Sequence, residues 1–179
     1  MGKKFKKQLC EEDFEYFNSI LALNNEDRII ALEFVDYLDC HIYSKLKDIL
    51  VNDMGIPNFI SDRIKLLYSL GAINENEFLD FKQIISIRNG FAHDYKLKSF
   101  NEQKDKFNFR IFPKLKLNDS LTLKQIYFVE CVILATLISC RIYRPWQISL
   151  FDFSDQNKID NDYLESFNLY NYAWKFKIR

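Results

Sequence analysis

An all-α fold is what this sequence predicts, and three observations carry the prediction. Apolar residues make up 48% of the 179 positions, and they recur every three or four residues along most of the chain, the period of a helix face. Only 4 glycines and 3 prolines are present, too few for a turn-rich β architecture, and the apolar content argues against disorder. The apolar stripes are separated by helix stop and start signals, such as Gly71 and Asn74-Glu75-Asn76-Glu77. A chain of this length can bury a real core. The expected organisation is a helical domain over 1–145 and an aromatic-rich C-terminal extension over 146–179.

A first helix is expected over Glu11–Leu23, with Phe14, Phe17, Ile20 and Leu21 on one face. Asn24-Asn25 offers an N-cap for a second, longer helix from about Glu26 to about Val51. Its stripe is Ala31, Val35, Leu38, Ile42, Leu46 and Ile49, and Met54-Gly55-Ile56-Pro57 ends it. A third helix runs from about Phe59 to Leu70, with Ile60, Ile64, Leu67 and Tyr68 on one side and Gly71 at the C′ position. Asn74 and Glu77 have the spacing of a capping box for the fourth. That helix carries Phe78, Phe81, Ile84, Ile85 and Phe91 inward and ends near His93.

The segment 94–119 lacks a clean period and holds seven basic against four acidic residues, with Phe100, Phe107, Phe109 and Phe112 interleaved. An extended excursion or a hairpin is expected. Asn118-Asp119-Ser120 would cap a last long helix from Leu121 to about Tyr143, nearly apolar throughout and so buried on several sides. The rings of the remaining segment, Trp146 to Phe176, are expected to dock on the bundle or on a second subunit.

Charge balances at 25 against 25, so no global basic field recruits nucleic acid and any such binding needs a local patch. Cys10, Cys40, Cys131 and Cys140 form no C-x-x-C pair, and His41 beside Cys40 has no further ligands at metal spacing. They read as reduced thiols of a cytoplasmic protein, with no cofactor or metal. The basic start Met1–Lys7 is followed by no apolar signal-peptide core. The most apolar run, Ile126–Cys140, is interrupted by Glu130 and is shorter than the roughly 20 residues a bilayer requires. No membrane association is expected.

The chemistry concentrates in Ile87-Arg88-Asn89-Gly90-Phe91-Ala92-His93-Asp94-Tyr95. A guanidinium can hold a phosphate oxygen and an imidazole can move a proton near neutral pH. In an unbroken helix Asn89 and His93, four apart, share a face, and Arg88 lies one step round. One reading gives Arg88 the scissile phosphate, Asn89 the orientation of imidazole or substrate, and His93 general acid–base work on RNA. The products would be a 2′,3′-cyclic phosphate and a free 5′-hydroxyl. The other reading makes Arg88 and His93 cations at a helix C-terminus, where the dipole favours them. Asp36 stands at the edge of the long helix's stripe. Helix pairing would bring it beside Arg88, or leave it a solvated rim carboxylate. Lys96, Lys98, Lys104, Lys106 and Arg110 could track an RNA backbone while nearby rings stack bases, or form a solvated loop whose rings enter the core. His41 has no evident partner.

Arg88, then four residues, then His93 at a helix end resembles the HEPN superfamily, and Asn89 directly after the arginine is the common form of that motif. Asp62 to Ile73, an acidic helix start, Ile87–His93 and the later Phe100 together resemble the mannitol operon repressor-like (MltR) group. Asp36 falls where that group carries an Asp on the preceding helix. The resemblance covers roughly 24–140 and leaves the tail after Trp146 without a counterpart. It implies a helical bundle that forms a homodimer, so that two Arg–His motifs face one cleft. It implies either a metal-independent endoribonuclease of toxin–antitoxin or antiviral defence systems, or an MltR-like regulator acting through protein contacts. Arg88-x4-His93-x-Tyr95 also resembles HepT-type toxins, whose motif tyrosine is modified by a nucleotidyltransferase antitoxin; that makes Tyr95 a candidate modification site. No helix-turn-helix is recognisable, so sequence-specific DNA binding is not expected. A third reading is a structural dimer module without an active site.

Overall fold

A computed structural model describes residues 26–50, 55–115 and 121–140. Four α-helices and two short 3-10 segments make up its regular structure, with no strand among the described residues. The fold class is all-α, as expected. The helices are α1 (Asp27–Ile49), α2 (Ile60–Ser69), α3 (Glu75–His93) and α4 (Leu123–Cys140). α1 packs on α4, α3 and α2; α2 also packs on α3, and α3 on α4. The expected helix over Glu11–Leu23, the N-terminal lysines and the aromatic extension lie outside the described residues.

The period read from the sequence is the period that is buried. Ala31, Val35, Leu38, Ile42 and Leu46 of α1 are buried, joined by Ile30 and Phe34, while Ile49 of the same stripe is partly buried. Tyr68, expected on the inner side of α2, is exposed because its ring lies outside on Phe78. At its start Glu26 occupies the N-cap and makes no side-chain cap bond; the expected Asn24-Asn25 cap lies outside the described residues. The first-turn Asp27 works at longer range instead. Its carboxylate accepts the Phe100 N–H (2.9 Å) and pairs with Lys124 (3.0 Å), fastening α1 to the excursion after α3 and to α4.

α2 ends as its glycine predicts. Gly71 has φ 68°, the left-handed conformation that glycine adopts without a Cβ penalty. The Gly71 N–H donates to Tyr68 O (3.0 Å) and the Ala72 N–H to Leu67 O (2.9 Å), the paired bonds of a Schellman motif. Three residues on, Asn74 Oδ1 accepts from the Glu77 N–H (3.0 Å) and Glu77 Oε2 from the Asn74 N–H (2.8 Å). The capping box is therefore complete.

The excursion after α3 forms no hairpin within its described part. Phe100–Lys106 and Phe112–Leu115 are 3-10 turns, and several backbone donors of the excursion go to side chains rather than to a partner strand. Ser99 and Glu102 cap the first turn reciprocally. The buried Asp80 carboxylate of α3 accepts the N–H groups of Arg110 and Ile111, each at 2.9 Å. The excursion is thus held against α3 and α4, and its rings enter the core. Phe100 meets Phe91 edge-on at 5.1 Å and Tyr127 at 5.0 Å, and Phe107 meets Phe109 at 5.7 Å. Edge-to-face geometry is favoured by the ring quadrupoles.

α4 is buried on most of its circumference from Tyr127 to Ile138. Thr122 and Gln125 bond reciprocally at its start: Gln125 N donates to Thr122 Oγ1 (3.3 Å) and Gln125 Oε1 accepts from Thr122 N (2.8 Å); the expected Asn118-Asp119-Ser120 cap lies outside the described residues. Among the described residues no helix is long and apolar enough to cross a membrane.

Candidate functional site

The motif lies on the last two turns of α3, and the helix runs unbroken through Gly90 to His93. Asn89 and His93 therefore share a face, and both are exposed. The choice of glycine at position 90 has a steric reason. A Cβ there would run into the Gln103 amide oxygen and lie 2.8 Å from its Cδ and 3.0 Å from Lys106 Nζ. With glycine in place, Gln103 Nε2 donates to Ile87 O and Lys106 Nζ to Ser86 O, both at 3.2 Å. The excursion can then lie directly on the helix that carries the motif.

Arg88 is half-buried, and its stem runs inward. Its Nε is buried and has no hydrogen-bond partner. Its Nη1 donates to Asn89 Oδ1 at 3.2 Å, turning the guanidinium toward the Asn89–His93 face. No carboxylate pairs with it among the described residues. The same guanidinium acts on the fully buried Tyr127 of α4. Burial, and then Cys131, push that phenol well above its ordinary range, while Arg88 pulls it down. The Tyr127 hydroxyl donates to Ala31 O at 3.2 Å.

A second guanidinium reaches the same end of the helix. Arg28, in the first turn of α1, donates from Nη2 to Ala92 O at 3.3 Å, one residue before His93. The sequence reading missed Arg28, because the contact spans 64 positions and leaves no local signal. Two arginines without carboxylate partners among the described residues, an exposed amide and an exposed imidazole thus gather at one helix end. That set can hold an oxyanion and transfer a proton beside it.

The other predicted positions fall elsewhere. Asp36 does not pair with Arg88: it lies on the exposed side of α1 with Ile29, Glu33 and Cys40, and makes no hydrogen bond or ion pair among the described residues. Lys96, Lys98 and Lys104 are exposed, whereas Lys106 and Arg110 are partly buried. Lys106 is bonded to Ser86 O and Gln103 Oε1, and Arg110 pairs with Asp80 at 3.6 Å. Phe100 and Phe109 are core residues and offer no face to a base. Tyr95 is 72% exposed, just past the helix end. His41 does have partners: its Nδ1 lies 2.7 Å from Ser139 Oγ and its ring packs on Tyr37 at 4.4 Å. Cys40 is an exposed free thiol and Cys131 a buried one. Among the described residues no three His, Cys, Asp or Glu side chains gather at metal-binding distance.

Compared with protein-family models, curated proteins and solved structures, the chain matches none.

Proposed function

We propose that the chain is a metal-independent endoribonuclease of HEPN type, a toxin or phage-defence effector working as a homodimer. The observation that carries this reading is the Arg88 guanidinium. It is anchored at Asn89 and has a desolvated Nε and no carboxylate to neutralise it. A desolvated cation with free donors favours a phosphate oxygen. Exposed His93 stands on the same helix face as Asn89, placed to work on the ribose beside that phosphate.

In this mechanism His93 removes the 2′-hydroxyl proton and the 2′-oxygen attacks phosphorus. The bond to the 5′-oxygen breaks as an imidazolium, supplied by the partner copy, returns a proton to it. Arg88 and Arg28 stabilise the charge that builds on the non-bridging oxygens. Two motifs facing one cleft would supply both imidazoles, which one chain cannot do with a single His93.

The test is cleavage of end-labelled RNA by purified protein in EDTA, wild type beside His93→Ala. Cleavage by wild type alone, leaving 2′,3′-cyclic phosphate ends, supports the reading. Equal cleavage by both proteins refutes it.

A second reading, a non-catalytic MltR-like regulator acting through protein contacts, draws on Tyr95 and Phe59. Each of these rings is 72% exposed, as a surface awaiting a partner would present them. This reading predicts no cleavage, no toxicity on expression, and a protein partner that co-purifies. Tyr95 is also accessible to a modifying antitoxin, as the HepT-like spacing implies.

A further inference from the structure

A groove of about 530 Å³ runs between α2 and α3 and reaches Asn89. Lys65, Lys82 and Lys106 line it, and among the described residues no Asp or Glu does. Its floor is apolar, with Ile64, Phe78 and Ile85. The balanced charge of the whole chain therefore conceals a local one-signed cleft, which focuses an attractive field on an anion.

The lysines are available to a ligand. Among the described residues Lys65 pairs with Asp62, at 2.8 Å, and their side chains are 65% and 45% exposed. Such a surface pair exchanges readily for another anion. Lys82 stands over the Phe78 ring at 5.5 Å, and Lys106 is held by two neutral oxygens. At the far end, Tyr68 stacks on Phe78 with centroids 4.6 Å apart and planes 16° apart, and is itself 40% exposed. A backed aromatic face beside a lysine-lined cleft is the combination that holds single-stranded nucleic acid, through stacked bases and neutralised phosphates.

The direction of the groove is set by helix geometry. Phe78, Lys82, Ser86, Asn89 and His93 follow one another at steps of three or four residues, and so form one continuous face of α3. From Lys82 to His93 that face advances about 16 Å, at 1.5 Å per residue.

We propose that the α2–α3 groove is the track for a single-stranded RNA. Lys65, Lys82 and Lys106 hold its phosphates, Tyr68 stacks a base, and the strand is led along α3 to Asn89 and His93. This rests on the ribonuclease reading for the choice of RNA, but concerns binding rather than cleavage. It moves the binding surface away from the exposed lysines of the excursion.

The experiment is fluorescence anisotropy of a fluorescein-labelled 12-nucleotide single-stranded RNA with the full chain, titrated at several salt concentrations. The double variant K65Q/K82Q should bind about tenfold more weakly. Its salt slope should fall by about 1.4, since each single-strand phosphate contact contributes about 0.7. Tyr68→Ala should weaken the single strand and reduce its preference over a duplex of equal length. The comparison variant K96Q/K98Q should stay within about twofold of wild type. If K65Q/K82Q binds like wild type, or if K96Q/K98Q carries the loss instead, the groove is not the track. Cleavage followed on the same proteins separates the two proposals. A wild type that binds through the groove lysines yet leaves RNA intact keeps the track and removes the ribonuclease. Cleavage with unchanged KM in K65Q/K82Q does the reverse.

Discussion

His93 has neither a buried surface nor a hydrogen-bond partner among the described residues, so its imidazole contributes little to stability. His93→Ala should therefore leave the thermal midpoint nearly unchanged and, on the ribonuclease proposal, lower RNA cleavage about 100-fold or more, the usual contribution of a positioned acid–base group. Loss of stability in place of activity would point to the structural module instead. Arg88 differs, because its stem is half-buried and its guanidinium acts on Tyr127. Arg88→Lys keeps the charge but loses the planar fork, and should lower cleavage with little change in fold, as seen by circular dichroism beside the kinetics. Asp36 is exposed and unpartnered, and Asp36→Asn should stay within about 0.5 kcal/mol of wild type in urea unfolding. The Arg88–His93 motif was legible from residue types and spacing alone. That Asp36 turns away from Arg88, and that Arg28 joins it, was not, because both follow from the rotation of α1 against α3.

Gly90 shows how an element can be shaped by what lies on it. Inside a helix a glycine costs about 1 kcal/mol relative to alanine, so Gly90→Ala would stabilise a bare α3. With Gln103 lying where the new methyl must go, the substitution should instead destabilise the protein by about 1 kcal/mol net, overpacking costing about 1–3 kcal/mol. In a Gln103→Ala background the sign should reverse, and a double-mutant cycle by chemical denaturation reads the coupling directly. The caps divide in the same way. Asn74 and Glu77 pair as their spacing requires, and Asn74→Ala should cost about 1 kcal/mol. At the starts of α1 and α4, Glu26 makes no side-chain cap bond, whereas Thr122 accepts one from the Gln125 N–H.

At the scale of the whole molecule, the buried acids Asp80 and Glu130 tie α3 to α4 and to the excursion. Asp80 accepts backbone N–H groups and keeps its charge satisfied. Glu130 is fully buried beside Asp80 and the Phe112 backbone. Burial first, and then the Asp80 charge, hold its carboxyl well above the ordinary value of 4.5. Between that value and the raised one, the folded chain keeps a proton that the unfolded chain has released. The stability this proton represents is complete below about pH 4.5 and is lost as pH rises toward the folded value, at about 1.4 kcal/mol per pH unit. Urea midpoints from pH 5 to 8 should thus decline more steeply for wild type than for Glu130→Gln; parallel profiles would mean that Glu130 is ionised in the fold.

The sequence by itself determined the all-α class, the spans of the described helices to within a few residues, the Schellman and capping-box ends of α2 and α3, and the motif near His93. Each of these depends on neighbours within a turn or two of the chain, where periodicity and side-chain reach decide the outcome. Tertiary structure alone decided which lysines line a cleft, where the excursion's phenylalanines go, and which arginines share the end of α3. Those outcomes depend on helix rotation and on side chains such as Asp27 and Asp80 that capture backbone groups 73 and 30 positions away. No local pattern records a partner at that distance.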